Sequence, residues 1–137
     1  MKRAIQKVLP KIIGRTLNIQ AIYNPKKAAL RAFLLFCKPR LGRVKAEQVS
    51  ILETGKAERL IGDKIDIQSY HWEGKEKTVL LIHGWESNTY RWFKLIEDLQ
   101  EQDFNIVAID APAHGYSNGT MFNVPKYAAA IELAVQQ

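Results

Sequence analysis

Two short apolar runs, Val79 to Ile82 and Ile106 to Ile109, each end in a loop containing Gly, His or Pro, and a segment of helical periodicity separates them. No other feature constrains the fold as much. Runs this short, apolar at every position, are strands covered on both faces, and strands joined through a helix rather than a tight turn are parallel. Thr78 to Ser117 is therefore predicted to be strand–loop–helix–strand–loop. Trp92, Phe93, Ile96 and Leu99 form the buried face of the helix, with Arg91, Lys94, Glu97, Asp98 and Glu101 on its other side.

The loops themselves are specific. The first strand ends in His83-Gly84-Trp85 and the second in Asp110-Ala111-Pro112-Ala113-His114-Gly115-Tyr116-Ser117. This pair, in this order, resembles the α/β-hydrolase fold family of esterases, lipases and their relatives, over roughly Leu60 to Gln137. The second loop matches the family's D-x-P-G-H-G-x-S pattern except that Ala113 stands where Gly is usual, so that position is expected not to need a positive φ. The resemblance implies that Trp85 donates its backbone N–H to an oxyanion, with His83 and Gly84 shaping the loop. Gly84 would let the backbone come close to a ligand, and the Trp85 indole would wall the acyl pocket. His83 and His114 are implied to support the loops rather than act as the base, and Asp110 to organise its turn by accepting backbone N–H groups.

Gly115-Tyr116-Ser117-Asn118-Gly119 also spells G-x-S-x-G, the nucleophile-elbow pattern. A true elbow lies directly between an apolar strand and a helix. Ser117 has no strand feeding it, so it is read as the serine of the structural loop. In the family the nucleophile follows this stretch, whereas the sequence ends at Gln137. The expectation is a front part of the domain, lacking nucleophile, acid and base and inactive by itself.

Charge divides the chain. Residues 1–46 contain twelve Lys/Arg and no acidic residue, and the remainder contains eight Lys/Arg and fourteen Asp/Glu. A basic arm on an acidic body is predicted, as residues 1–45 and 46–137. Ile5, Val8, Leu9, Ile12 and Ile13 fall at helical spacing opposite Lys7, Lys11 and Arg15, with Pro10 predicted to kink the helix or divide it in two. Asn24-Pro25 starts a second helix, expected to bury Ala29, Phe33, Phe36 and Cys37 in part. Two readings stay open for this arm. One is a helical cap packed on the body. The other is residues 1–46 lying on an anionic membrane surface. Nucleic acid is not expected, since aromatic residues do not alternate with the basic ones. No metal or organic cofactor is implied. A single cysteine, Cys37, fits a reducing compartment, so a cytoplasmic location, free or peripheral to the membrane, is expected.

The remaining segments are read from periodicity. Ala46 to Glu53 is predicted to be a short helix. Ala57–Ile61 and Lys64–Trp72 form a hairpin turning at Gly62-Asp63, its second strand half-buried. His71 is a satisfied strand residue rather than a ligand. A last helix, capped by Asn123, buries Tyr127, Ala128, Ile131 and Val135. The predicted fold class is α/β: the N-terminal strands and crossover helix of a hydrolase fold, preceded by the helical basic arm. The function implied for the intact protein is hydrolysis of small carboxylic esters, by a serine esterase or by relatives with an aspartate nucleophile. A non-catalytic binding module, or a membrane-associated scaffold, is the competing expectation.

Overall fold

The computed structural model describes residues 2–136, with side chains from Val8 to Gln136. The chain divides into two compact units, one through Cys37 and one from Lys38. Among the described residues, no helix is long and apolar enough to cross a membrane.

The first unit is a pair of helices, α1 (Lys2–Tyr23) and α2 (Pro25–Phe36). Asn24 ends one and starts the other: its side chain accepts the Lys27 N–H at 2.9 Å, and Pro25 takes the first helical position. The chain is not divided into two helices at Pro10: α1 is one continuous helix through it. Pro10 removes a single N–H from a ladder of 22 residues, and Ile13 and Leu17 beyond it are half-buried. The Ile5 and Lys7 side chains of the predicted amphipathic pattern lie outside the described ones. The expected face of α2 is also corrected. Ala28 and Cys37 are buried and Ala32 half-buried, while Ala29, Phe33 and Phe36 are exposed. A two-helix unit has only one seam, and small residues one turn apart let backbones approach most closely there.

The second unit is built on a four-stranded sheet of β1 (Lys56–Gly62), β2 (Ile65–Trp72), β3 (Thr78–Ile82) and β4 (Asn105–Ile109), in the order β1-β2-β4-β3. β1 and β2 form the predicted hairpin, from Lys56 opposite His71 to Gly62 opposite Ile65. β2 runs antiparallel to β4, and β3 lies parallel to β4 with Ile82 opposite Ile109. Ahead of the sheet, a 3₁₀ turn at Ala46–Gln48 leads into the one-turn helix α3 (Val49–Leu52). The crossover between β3 and β4 runs through a 3₁₀ turn, Thr89–Trp92, and helix α4 (Phe93–Glu101). The final helix is α5 (Val124–Val135), where Asn123 accepts the Lys126 N–H at 3.0 Å.

Two cores result, one on each face of the sheet. Tyr70, Trp72, Leu81, Ile106 and Ala108 pack with Leu52 and with Ile96 of α4. Leu60, Ile67 and Ile109 pack with Ala130 and Ala134 of α5. Each fully buried Ile contributes roughly 1.5–3 kcal/mol. The half-buried reading of β2 is thus corrected: Ile67 to Tyr70 and Trp72 are buried, because β2 is an inner strand covered from both sides. Along α5, Tyr127, Ala130, Ile131 and Ala134 face the core, whereas Ala128 and Val135 are exposed, contrary to expectation. His71 is satisfied by Asn105, with Nε2 2.6 Å from the amide oxygen.

Candidate active site

The parallel pairing of β3 and β4 brings their carboxyl ends level, so the loops after Ile82 and Ile109 stand side by side. In α/β sheets such a place is where ligands bind. His83 leaves β3 pointing inward and is almost fully buried. Its Nε2 accepts the Ala111 N–H at 2.9 Å, which joins the two loops directly. Since Nε2 accepts, the ring proton sits on Nδ1 and is donated to the Gly84 carbonyl at 2.8 Å. His114 repeats the arrangement. Its Nε2 accepts the Glu86 N–H at 3.0 Å, and Nδ1 donates to the Pro112 carbonyl at 3.0 Å. Burial holds the pKa of both imidazoles below the ordinary value, against the opposing pull of these carbonyls and of Asp110.

Asp110, fully buried at the end of β4, is the hub of the second loop. One oxygen accepts the Thr89 N–H and the Thr89 hydroxyl, both at 2.9 Å. The other accepts the Tyr116 N–H at 3.0 Å and the Tyr70 hydroxyl at 3.2 Å. Burial first, and Asp110 second, push the Tyr70 phenol far up, so it remains a donor. His83 Nε2 lies 3.9 Å from Asp110, but a nitrogen that accepts an N–H has no proton to share with a carboxylate.

Ser117 is wired to backbone groups rather than to a histidine. The Ser117 hydroxyl donates to the Asp110 backbone carbonyl and accepts the Gln68 N–H at 2.8 Å, with the side chain buried. Both its hydrogen-bonding directions are consumed by backbone. Among the described residues, no serine or cysteine shares a hydrogen bond with a histidine, and no group of three or more His, Cys, Asp or Glu is placed to hold a metal.

The sequence expectation for Ala113 is corrected. It sits at φ 67°, in the left-handed region, with its N–H donated to the Asn118 carbonyl at 3.0 Å. The turn demands that conformation, and alanine bears it at a cost of about 1–2 kcal/mol. Gly115 at φ 47° is held to glycine by Asp110, since a Cβ there would lie 1.9 Å from a carboxylate oxygen.

Gly84 differs from both. Nothing lies within 4 Å of where its Cβ would be. Next to it, Trp85 is 39% exposed and its indole meets His114 edge-on at 5.8 Å and Phe122 at 5.3 Å. Phe122 also contacts Tyr127, whose hydroxyl donates to the His83 carbonyl at 2.9 Å. The loop is thus fixed at His83 and walled by aromatic rings, with open space beside Gly84. A separate concavity of about 290 Å³ is lined by Asp66, Pro112, Asn118, Met121 and Lys126 among others, and touches neither Gly84 nor Trp85.

Several organising residues escape sequence reasoning. Arg43 reaches the Ser117 carbonyl at 2.6 Å and the Gly119 carbonyl at 3.0 Å, and nothing separates it in sequence from the other basic residues. Asn88 caps the Thr89 turn by accepting the Tyr90 N–H at 3.0 Å, and its amide donates to the Gln48 side chain at 3.0 Å. An Asn directly before a helical run is a cap signal that could have found it.

Residues 77–137 match the family model described as alpha/beta hydrolase fold. No curated protein matches the chain in sequence. Among solved structures, a thioesterase domain from the curacin biosynthetic pathway is similar, with 24% identity and a TM-score of 0.55 over 60% of this chain and 32% of that one. An esterase of Pyrococcus furiosus is similar with 21% identity and a TM-score of 0.57, over 72% of this chain and 41% of that one. The chain thus matches well under half the length of either structure.

Proposed function

We propose that this chain, whose residues 77–137 match the family model described as alpha/beta hydrolase fold, forms the oxyanion side of a hydrolase site for small carboxylic esters. Esterase and thioesterase activities, named for its structural neighbours, support that choice of acyl compound. One observation carries the reading. The loop at the carboxyl end of β3 is locked by His83 onto the neighbouring strand's loop, yet leaves open space at Gly84.

Attack on an ester carbonyl places negative charge on its oxygen. The Trp85 backbone N–H, next to the open Gly84, is the assigned donor to that oxygen. A fixed donor of this type is worth about 3 kcal/mol of transition-state stabilisation. The Trp85 and Phe122 rings form the apolar wall for the acyl group. His83 acts only by positioning, since both its ring nitrogens are engaged with backbone. Among the described residues, none is assigned as nucleophile, base or orienting acid. Ser117 is not the nucleophile, and residues 1–137 alone are expected to be inactive.

The test is hydrolysis of p-nitrophenyl acetate by the protein isolated from its native cells, beside residues 1–137 alone. Turnover by the first and not the second is expected. Lack of any ester or thioester turnover by the native protein would overturn the reading. Turnover by residues 1–137 well above a Ser117→Ala control would overturn the assignment of Ser117.

A further inference from the structure

We propose that the α1–α2 unit is a lipid-surface anchor, whose two helices lie in the headgroup region of an anionic bilayer. The proposal is independent of the hydrolase reading. It begins with charge: the chain through Cys37 carries eight lysines and arginines and no acidic residue. It continues with exposure. On α1, Val8, Ile12 and Ile19 recur at spacings of four and seven, forming one stripe, and each is more than half exposed. Lys11 lies along the border of that stripe, and Arg15, three residues after Ile12 and four before Ile19, stands within it. On α2, Leu30, Phe33 and Leu34 are spaced i, i+3, i+4 and are also exposed, behind Lys26 and Lys27 in the first turn.

Soluble surfaces seldom present this many exposed apolar side chains on neighbouring turns. Apolar stripes bordered by Lys and Arg are the composition of helices that lie in a membrane interface. Charge complementarity selects the occupant. A second copy would bring two surfaces of like charge together, whereas anionic headgroups attract each basic side chain near the surface. A fluid interface also accepts apolar residues from both helices without a matching groove. At 22 residues α1 is about 33 Å long, but it is too charged and too weakly apolar to cross, which leaves the surface-parallel position.

The experiment is co-sedimentation of the full 137-residue chain with vesicles of phosphatidylcholine mixed with phosphatidylglycerol, and with vesicles of phosphatidylcholine alone. Binding to the mixed vesicles at low salt is expected, about tenfold or more tighter than to the neutral ones. It should weaken at about 1 M salt, where the screening length falls to ~3 Å. Two double variants, Ile12→Ser with Ile19→Ser and Lys11→Gln with Arg15→Gln, should each weaken binding about tenfold while circular dichroism shows the helices retained. Equal binding to both vesicle types, or no binding at low salt, overturns the proposal without reference to any variant. So does a folded double variant that binds like the parent, or a concentration-dependent dimer that leaves vesicles unbound.

Discussion

The Ala111 backbone N–H donates to His83 Nε2 at 2.9 Å, and this bond determines what His83 can be. A nitrogen that accepts a buried N–H cannot also take up a proton and keep its partner. Histidine at this position is therefore a fixed neutral strut between the two loops.

Acid should weaken the fold for that reason. His83 and His114 are both held neutral by burial, with folded pKa values below the unfolded value of about 6.5. Below that pH the unfolded chain binds protons that the folded one does not, so stability falls as pH falls. The loss starts near pH 6.5 and continues down to the lowered folded values, at up to about 1.4 kcal/mol per pH unit for each imidazole. Urea titrations between pH 8 and pH 5 check this. A His83→Gln, His114→Gln double variant should lose most of the slope in that range.

Ala113→Gly should stabilise the protein. The alanine stands at φ 67°, and glycine removes that strain at the expense of greater freedom in the unfolded chain. A net gain of about 0.5–1 kcal/mol in chemical denaturation is expected. A loss of stability would show that the buried methyl matters more than the backbone angle.

Gly42 and Gly84 should respond in opposite ways to alanine. At Gly42, φ is 92° and a Cβ would meet the His114 ring at 2.6 Å and the Ser87 carbonyl at 2.8 Å. Gly42→Ala should cost more than about 2 kcal/mol. Gly84→Ala, with nothing nearby, should stay within about 0.5 kcal/mol of the parent. In the active protein it should nevertheless lower kcat for esters, because the space it fills is the space assigned to substrate.

Ser117→Ala separates structural from catalytic serine. It leaves the buried Gln68 N–H without its acceptor, a loss of about 1–3 kcal/mol by thermal or urea unfolding. Ester turnover per folded molecule in the active protein should be unchanged.

What was legible in the sequence was what local chemistry dictates. The runs ending at Ile82 and Ile109 announced two parallel strands, but of the two only β4 is covered on both faces: β3 stands at the edge of the sheet and its Ile82 is exposed, contrary to expectation. Asn24 and Asn123 announced their caps, and Gly62-Asp63 announced its hairpin. The burial of Gln68 and Ser69 was not legible, because alternation along β2 looks the same whether its polar face meets water or a second layer. The turn at Ala113 was not legible either: glycine advertises a positive φ, and alanine hides one. On α5, Ala128 and Ala130 are equivalent in composition, and only the docking of Tyr127 against His83 chooses which faces inward.

Arg43 ties the second loop to a part of the chain that lies far from it in sequence. Residues 110–119 look self-contained, with their own turns and their own Asp110 hub. Yet the carbonyls of Ser117 and Gly119 are met by a guanidinium more than seventy residues earlier, and the Gly115 N–H is donated to the Gly42 carbonyl at 2.8 Å. Contacts of such long range form only after the chain between them has been gathered, and they slow folding accordingly. The loop at the end of β4 thus depends for its shape on a segment far back in the sequence. Slower refolding of an Arg43→Met chain would place this contact in the transition state, and faster unfolding alone would place it afterwards.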